Sequence, residues 1–350
     1  MSFDIAKKLI EKRSLEKGEY LELLESFSPS LAEFLAQKAR EEKERIYGKK
    51  VFIRGLIEIS NICKNDCLYC GIRKSNTLCD RYRLEPEKIL ELCRKGYSIG
   101  FRTFVLQGGE DPFYSDEVLE KIIKNIKAEH PDCAVTLSLG ERSKESYQRL
   151  KAAGADRYLL RHETATKEHY ARLHPESLSL QNRMQCLKNL KETGFQTGCG
   201  FMVGSPYQTL DNIAEDLKFI EEFSPEMCGI GPFIPHKNTP FRDFPAGSAD
   251  LTCYLLSIVR IIKPNILLPA TTALGTAEAD GRERGILSGA NVIMPNLSPR
   301  ENRKKYELYN NKLSSGAESA EELELLKRKM RAIGSEIAIE RGDIEKGEKL

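Results

Sequence analysis

The sequence lacks the features of a membrane-spanning, secreted or nucleic-acid-binding protein. Its 350 residues carry 54 basic and 52 acidic side chains, so the formal net charge is only +2 and no long block of one sign appears. No apolar run approaches the roughly 18 residues that a membrane span needs. The N-terminus has neither the apolar stretch nor the cleavage site of a secretory signal. We therefore expect a cytoplasmic protein that binds no nucleic acid and no membrane.

The sequence also lacks the pattern of a disulfide-stabilised fold, although it has ten cysteines. The chain is long and rich in apolar residues, so reduced thiols with local metal binding are the better interpretation. Seven cysteines occur singly and are expected to be small buried hydrophobes: Cys79, Cys93, Cys133, Cys186, Cys199, Cys228 and Cys253. The remaining three are clustered.

Apolar runs alternate with amphipathic stretches from Val51 onward, a rhythm typical of strands separated by helices. Eight strands are predicted, at 51–59, 102–108, 133–139, 157–162, 196–203, 227–234, 266–272 and 291–295. Seven helices are predicted between or after them, near 86–99, 115–128, 143–153, 179–193, 209–223, 250–262 and 278–288.

This alternation predicts an α/β fold, and eight is the number of parallel strands that closes a complete (β/α)8 TIM-type barrel. An open doubly wound sheet is the alternative, but no glycine-rich dinucleotide fingerprint follows the first strand. We predict a helical extension over residues 1–48 that stops at Gly48, a barrel over 49–300, and a C-terminal helical cap over 301–350 with a helix near 319–333.

Three cysteines, Cys63, Cys67 and Cys70, follow the first predicted strand within eight residues. A [4Fe–4S] cluster in an electron carrier has four thiolate ligands. Three ligands leave one iron open, as catalytic metal sites leave a position for substrate. A zinc site is the alternative, but the nearest histidine in the sequence, His130, is distant. The spacing therefore favours an iron–sulfur cluster.

The segment Cys-x3-Cys-x2-Cys, with Tyr69 before the last cysteine, is similar to the signature of the radical S-adenosylmethionine (SAM) superfamily. Further stretches between about residues 45 and 310 resemble the [FeFe]-hydrogenase maturase family HydE, whose wider group includes biotin synthase and methylornithine synthase. These stretches are 67–71, 81–83, 106–112, 135–141, 155–164, 229–236, 269–273 and 289–296.

The resemblance implies an enzyme that reductively cleaves SAM at a [4Fe–4S] cluster and so generates a 5′-deoxyadenosyl radical. It implies a small cysteine-derived or iron-bound substrate in the maturation of the hydrogenase H-cluster, or another small amino acid as in methylornithine synthase. It also implies a reductant protein such as ferredoxin or flavodoxin, and possible contact with other hydrogenase maturases. We expect a monomer. A metal-binding scaffold without catalysis is the non-enzymatic alternative.

Several polar residues at the ends of the predicted strands are candidates for binding SAM. The bare backbone at Gly108 and Gly109 allows close approach of a ligand. The resemblance places these glycines at the methionine end of SAM, Glu163 and Arg183 against its polar groups, and Tyr69 near the adenine. A salt bridge at the barrel rim is the alternative for Arg183. The full set of candidate SAM residues is Tyr69, Gly108, Gly109, Glu110, Ser138, Glu163 and Arg183.

A second set of residues is expected to line the substrate cavity. Thr136 and Ser138 share one face of the third strand, and Arg161 and Glu163 share one face of the fourth, by the period of two. A cationic Arg161 among hydroxyl groups suits a small carboxylate substrate. The resemblance implies catalytic or substrate-lining roles for Thr136, Arg161, Thr271, Thr272 and Tyr306. Ordinary strand propensity and packing are the alternatives for the threonines and the tyrosine.

The sequence departs from the family pattern in two places. Some HydE proteins hold a second cluster on C-terminal cysteines, but no cysteine follows Cys253 here, so we expect no second cluster. Cys199 on the fifth strand is expected to reach the barrel interior. Biotin synthase also needs a strand-two cysteine and a strand-seven arginine, and both are missing, which disfavours that activity.

Overall fold

The N-terminal extension consists of three helices. The computed structural model describes residues 2–313 and 319–345. The helices are α1 (Ser2–Lys12), α2 (Lys17–Glu25) and α3 (Pro29–Tyr47). Ser28 caps α3 by accepting a hydrogen bond from the Leu31 N–H, and Gly48 ends it with φ of 60°, a conformation that favours glycine. The predicted helical character and the predicted stop at Gly48 are both confirmed.

The strands form parallel sheets. They are β1 (Lys50–Ile53), β2 (Gly55–Ser60), β3 (Thr103–Gly108), β4 (Ala134–Ser138), β5 (Arg157–Leu159), β6 (Gln196–Cys199), β7 (Met202–Val203), β8 (Met227–Cys228), β9 (Gly231–Pro232), β10 (Val292–Ile293) and β11 (Glu336–Ala338). The largest sheet has six strands in the order β2-β3-β4-β5-β6-β8. The smaller sheets are β10-β1-β11 and β7-β9.

Helices separate the strands along the chain, as the sequence predicts. They are α4 (Pro86–Ser98), α5 (Asp116–Glu129), α6 (Lys144–Ala152), α7 (Lys167–Leu173), α8 (Leu180–Glu192), α9 (Leu210–Phe223), α10 (Ala249–Ile262), α11 (Thr272–Ala277), α12 (Gly281–Leu287), α13 (Arg300–Arg303) and α14 (Leu323–Ala332), with a 3₁₀ turn at Ala320–Glu322. Side chains of Ser115, Ser143 and Ser179 cap α5, α6 and α8. Within the described residues, no helix has the length and apolar character to cross a bilayer.

Single backbone bridges extend the six-stranded sheet at both edges. Met227 in β8 pairs with Leu267, Pro269 pairs with Val292 in β10, and Asn296 pairs with Leu56 in β2, all in parallel. The prediction of a full strand over 266–272 is wrong. Pro269 has no N–H to donate to a ladder, and the chain enters α11 at Thr272.

Three other predicted strands are interrupted. The first is divided at Arg54 into β1 and β2, the fifth at Gly200 into β6 and β7, and the sixth at 229–230 into β8 and β9. Gly200 has φ of +148°, and a Cβ there would lie 2.1 Å from the Gly229 carbonyl oxygen. The backbones of the fifth and sixth strands approach so closely at this point that regular pairing stops.

The N-terminal helices pack on the outside of the sheet's helical layer. The Tyr20 hydroxyl donates to Glu221 of α9 at 2.7 Å, and the Tyr254 hydroxyl of α10 donates to the Leu23 carbonyl at 2.9 Å. Both tyrosines are buried. The extension is thus joined to α9 and α10 by contacts that combine apolar burial with satisfied hydroxyl groups.

The C-terminal segment adds a strand and a tail that the sequence did not indicate. Strand β11 pairs in parallel with β1. Residues 339–345, the C-terminal tail, then cross the N-terminal ends of the strands, where the fully buried Arg157 donates to Asp343 Oδ1 at 2.5 Å and to the carbonyls of Arg341 and Gly342. The tail therefore closes the end of the sheet opposite the cysteine loop. Residues 346–350 lie outside the described part of the chain.

Candidate active site

Cys63, Cys67 and Cys70 lie on the loop that follows β2, and all three are half-buried free thiols. Burial and, to a smaller extent, the neighbouring Cys63 raise the pKa of Cys67 to about 12. Burial likewise raises the pKa of Cys63 and of Cys70. Coordination deprotonates a thiol outright, so such groups become thiolates beside a strong cation. The donor set therefore fits a metal group.

The arrangement of the thiols fits a polynuclear cluster better than a single ion. In the described residues, no three histidine, cysteine, aspartate or glutamate side chains converge closely enough to hold one metal ion. A cubane offers a different iron to each thiolate, so its ligands stand further apart than those of a mononuclear site. The Glu110 N–H also donates to Cys63 Sγ at 3.4 Å, a second-sphere hydrogen bond of the kind that tunes cluster ligands.

Arg81 holds the cysteine loop in shape. Its guanidinium donates to four loop carbonyls at 2.5–3.1 Å, those of Asn61, Ile72, Arg73 and Asn76. Nothing in the spacing of the loop sequence indicates this role, because the contacts join residues on both sides of the cysteines. Arg81 therefore preorganises the cysteine loop, although it belongs to neither the predicted SAM site nor the predicted substrate site.

The backbone of the β3 terminus lies directly against this loop. A Cβ at Gly109 would be 2.3 Å from the Ile62 carbonyl oxygen, so only glycine fits there. Glu110 pairs with Lys64 at 3.0 Å and accepts from the Glu141 N–H at 3.1 Å. The structure thus brings Gly109 and Glu110 beside Cys63, and their contact with SAM stays a prediction.

A cavity of about 310 Å³ lies at the carboxyl ends of the strands, within the range of small-molecule sites. Cys70 forms part of its wall, so the cysteine loop faces the cavity. Besides Cys70, six residues of the predicted SAM and substrate sites line it together: Tyr69, Ser138, Arg161, Glu163, Thr271 and Tyr306. The period-two argument therefore selected three residues that share this cavity, Ser138, Arg161 and Glu163, and one that does not line it, Thr136.

Arg161 and Glu163 give the cavity its charge. Arg161 Nη2 lies 3.1 Å from Glu163 Oε2, although the angle is not that of a hydrogen bond. The Arg161 Nε and Nη2 atoms are buried and have no hydrogen-bond partner in the described residues. Glu163 has φ of +65°, which is strained for a residue with a side chain. Buried donors of this kind are suited to an anionic ligand.

Tyr306 covers the cavity from the loop after α13. It is buried, and its hydroxyl accepts a hydrogen bond from Gln107 Nε2 at 3.4 Å. Lys312 lies 5.0 Å from the ring centroid and forms an ion pair with the fully buried Glu58 of β2. This ion pair fastens the covering loop to the sheet. Neither Glu58 nor Lys312 stood out in the sequence.

Thr136, Thr272 and Cys199 are not among the residues that line the cavity, and the roles expected for the two threonines stay predictions. Thr136 lies two residues before Ser138 on β4 and is buried, and its Oγ1 has no hydrogen-bond partner among the described residues. Thr272 is the first residue of α11, whose N-cap is Thr271. Cys199 is fully buried, and its nearest ionisable neighbours are the Cys228 thiol and Asp216 of α9.

Arg183, on α8, is buried and already has partners. Its Nε donates to Glu141 Oε1 at 2.5 Å and its Nη1 donates to the Arg161 carbonyl at 2.5 Å. Burial opposes the charge of Arg183, but the neighbouring Tyr170 and Glu141 outweigh it and raise its pKa above the usual value. Arg183 therefore supports the backbone of Arg161 from behind, and its contact with SAM stays a prediction.

A buried His162–Asp216 pair holds the turn that carries Arg161 and Glu163. His162 Nε2 lies 3.3 Å from Asp216 Oδ1, and its Nδ1 accepts the Gly200 N–H at 3.2 Å. Asp216 also accepts the Ala165 N–H at 2.5 Å. Alternation along the strand predicted that His162 points away from the cavity, and the cavity wall does not include it. Its partner on α9 could not be inferred from the sequence.

A three-thiol loop lies at the carboxyl end of a parallel α/β sheet and opens onto a cavity with an arginine whose Nε and Nη2 have no hydrogen-bond partner in the described residues. This arrangement is the one expected of a cluster-dependent enzyme. The model of the Radical SAM superfamily matches residues 57–220. The chain belongs to this superfamily and, within it, to the HydE family, as the comparisons with known proteins show. It is a radical SAM enzyme, and enzymes of this family use a [4Fe–4S] cluster and SAM.

Three relatives illustrate the likeness. The chain is 45% identical over 304 residues to "[FeFe] hydrogenase maturase subunit HydE" of Thermotoga maritima, covering 87% of this chain and 86% of that protein. It is 28% identical to 3-methylornithine synthase of Methanosarcina acetivorans, covering 86% and 85%. The crystal structure of methylornithine synthase (PylB) has the same fold, with a TM-score of 0.80, 24% identity and coverage of 95% and 97%.

Proposed function

We propose that this chain is a HydE-type maturase that acts on a small, anionic, cysteine-derived ligand of iron during assembly of the H-cluster of [FeFe] hydrogenase. The 45% identity to the Thermotoga maritima maturase over most of both chains supports the family role. The observation that carries the substrate class is Arg161, whose buried Nε and Nη2 atoms have no hydrogen-bond partner in the described residues. It lies in a cavity lined by the hydroxyl-bearing residues Ser138, Thr271 and Tyr306.

The proposal assigns the cofactors to residues around the cavity. Cys63, Cys67 and Cys70 would hold the cluster, which, when bound and reduced, would supply the electron that splits SAM. SAM is held by the candidate set that resemblance indicates: Tyr69, Gly108, Gly109, Glu110, Ser138, Glu163 and Arg183. The strained backbone at Glu163 supports this assignment, since strained conformations concentrate at functional sites.

The remaining cavity residues orient the substrate and exclude water. The planar fork of Arg161 is suited to bind a carboxylate through two parallel hydrogen bonds. Glu163, 3.1 Å from Arg161, fixes the direction of that fork. Tyr306 and Leu308, on the covering loop, separate the cavity from solvent. Sequestration of this kind protects a reactive radical from side reactions.

We also propose a complete barrel architecture and a cytoplasmic location for the enzyme. The single bridges at Leu267, Pro269 and Asn296 support a complete (β/α)8 barrel in which the seventh and eighth strands are reduced to short contacts. All ten cysteines are free, which supports a reducing, cytoplasmic compartment. A monomeric enzyme that receives electrons from a reductant protein fits this setting.

A second candidate is an enzyme that acts on another small amino acid, as 3-methylornithine synthase does by its name. The likeness to that enzyme extends over 86% of the chain. An arginine fork in a hydroxyl-lined cavity binds any amino acid carboxylate, so Arg161 by itself does not separate the two candidates.

The deciding experiment replaces HydE with this protein in an in vitro [FeFe]-hydrogenase maturation assay. Formation of active hydrogenase supports the maturase function, and the Cys67→Ala protein serves as the matched inactive control. Robust SAM cleavage without active hydrogenase would reject the maturase function and leave the radical SAM activity intact. The second candidate is then tested by incubating the protein and SAM with each of the common amino acids and searching for 3-methylornithine by mass spectrometry.

A further inference from the structure

A groove lies on the outer side of the cysteine loop, away from the cavity. It is lined by Gly71, Leu78, Cys79, His236, Lys237 and Lys304, and we call it the outer groove. Its residues come from the cysteine loop, the loop after β9 and the covering loop. None of them belongs to the predicted SAM or substrate sites.

The outer groove and the cavity share one wall, which is the backbone of the cysteine loop. Cys70 lines the cavity, and the next residue, Gly71, lines the groove. A Cβ at Gly71 would lie 2.1 Å from the Glu307 carbonyl oxygen and 2.6 Å from His236 Cδ2, so the wall is packed tightly on its outer side. A redox group bound in the outer groove would therefore be separated from the proposed cluster ligand Cys70 by the backbone of Gly71.

The surface of the groove combines an apolar side chain with lysines. Leu78 is 77% exposed, more than any other large apolar side chain in the described residues. Lys237 and Lys304 are exposed and form no ion pair within the part of the chain that the structure describes. Lys305 is neutralised by Asp80 at 2.7 Å, which leaves Glu307 as the opposing carboxylate. Two lysines without an ion pair outnumber this one carboxylate, and an exposed apolar residue beside a net positive charge suits an acidic protein partner.

A second groove reaches the cysteine loop from the Lys64 side, and its charged side chains are paired. Its three carboxylates, those of Glu110, Asp111 and Glu141, form ion pairs with Lys64, Arg83 and Arg183. Its remaining cation, Arg142, forms an ion pair with Asp116. Exposed lysines without an ion pair in the described residues thus distinguish the outer groove from this second approach to the same loop.

We propose that the outer groove is the docking surface for a small acidic protein that carries a one-electron flavin or iron–sulfur centre. This inference rests on the proposed function, since a cluster on Cys63, Cys67 and Cys70 must be reduced before SAM is cleaved. In the docked complex one electron passes from the carrier to the cluster, so the carrier is oxidised and the cluster is reduced, each by one electron. No bond is formed or broken in this step, and no proton is transferred. Short-lived redox complexes use small interfaces of this kind.

The test measures reduction of the cluster without substrate. Reduced flavodoxin, an acidic flavin carrier, is mixed with the anaerobic holoenzyme, and bleaching of the cluster is followed by stopped flow, with the reduced cluster identified by electron paramagnetic resonance. The double variant Lys237→Glu/Lys304→Glu is expected to slow reduction about tenfold at low ionic strength, with the gap shrinking as salt is added. The Leu78→Ser variant is expected to slow it at every salt concentration.

Two controls separate docking from damage to the cluster. Photoreduced deazariboflavin, a small neutral reductant, is expected to reduce every variant at the wild-type rate. The matched variant Lys121→Glu reverses an exposed lysine of α5 and is expected to change nothing. Equal flavodoxin rates in the wild type, the double variant and Leu78→Ser would overturn the docking surface. Because hydrogenase maturation is not measured, failure of the docking surface is distinguishable from failure of the maturase function.

Discussion

At the residue scale, the cysteine loop contains three proposed cluster ligands and one further cysteine that is not expected to bind the cluster. Replacing Cys67 with Ala would remove one of the three proposed cluster ligands and is expected to abolish both cluster binding and SAM cleavage. The measurements are iron content, the visible absorption of the cluster, and release of 5′-deoxyadenosine under dithionite.

Cys79 provides a matched control, because it lies on the same loop and accepts only a long contact from Asn61 Nδ2 at 3.5 Å. The Cys79→Ala protein is expected to keep its iron. If Cys67→Ala also kept its cluster, the ligand assignment would be wrong.

Arg183 offers a second test at this scale. If it binds the SAM carboxylate, Arg183→Ala is expected to weaken SAM binding by about 1.5–3 kcal/mol, the worth of a hydrogen bond to a charged group. Calorimetric titration of the cluster-loaded protein measures this. Because Arg183 also supports the Arg161 carbonyl, the variant is expected to lose turnover as well. Unchanged affinity would restrict Arg183 to that supporting role.

Single residues also show where sequence reasoning succeeded and where it failed. Side-chain alternation placed Ser138, Arg161 and Glu163 on one cavity, because it depends only on the local geometry of a strand. The same rule failed for Thr136, since alternation gives the face of a strand and says nothing about depth. Arg81 and Asp216 were not identified, because their contacts depend on how distant segments meet.

At the scale of elements, the turn after β5 is held by a helix. Asp216 of α9 accepts the Ala165 N–H and approaches His162, so Asp216→Ala is expected to loosen the turn that presents Glu163. SAM is expected to bind about tenfold more weakly, as the loss of one charge-assisted hydrogen bond implies. The SAM-induced change in the electron paramagnetic resonance of the reduced cluster measures this, and Asp216→Asn, which keeps an acceptor, is expected to restore most of it. An unaltered spectrum in Asp216→Ala would contradict the role of the pair.

The C-terminal tail carries a stability prediction. Asp343 accepts from the fully buried Arg157, so Asp343→Asn is expected to destabilise the fold by about 1–3 kcal/mol, in the range for hydrogen bonds to charged groups. Glu340→Gln, which breaks the exposed pair with Lys50, is expected to change stability by less than about 1 kcal/mol. Denaturant unfolding of both variants measures the difference, and equal losses would contradict a special role for Asp343.

The pH dependence of the same contact has a definite sign. Burial alone would raise the pKa of Asp343, but the hydrogen bonds from Arg341 and the charge of Arg157 outweigh it and hold the pKa below the usual range. A carboxyl group with a lowered pKa stabilises the fold above its unfolded pKa of about 3.9, and this stabilisation is lost as the pH falls below that value. The wild type is therefore expected to lose its advantage over Asp343→Asn only under acidic conditions.

Helices were easier to predict than strands for a physical reason. The repeated apolar face of α5 or α10 extends over several turns, so its signal accumulates along the sequence. The strands of this sheet are buried on both faces and only two to six residues long, and their ends depend on pairing partners. Strand β11 has only two apolar residues, Ile337 and Ala338, too few for a recognisable strand pattern, and it forms by pairing with the edge of β1.

At the scale of the whole molecule, the number of clusters follows from the cysteines. No cysteine occurs after Cys253, so the anaerobically reconstituted protein is expected to hold about four irons per chain, enough for one [4Fe–4S] cluster. Part of the stretch that would carry a second cluster, residues 314–318, lies outside the described residues, so the expectation rests on the sequence alone. Iron and sulfide assays measure it, and about eight irons would contradict it.

The covering loop has a consequence for the synthesis of the enzyme. Tyr306 lies 236 residues after Cys70, the difference between their positions, and shares with it the wall of one cavity. At about 5–20 residues per second, translation needs roughly 12–47 s to proceed from the last cluster ligand to this cover. During that interval the thiols are accessible to any soft metal ion or oxidant. Metal ions and oxidants near the ribosome can therefore react with the cysteine loop before the folded enzyme exists.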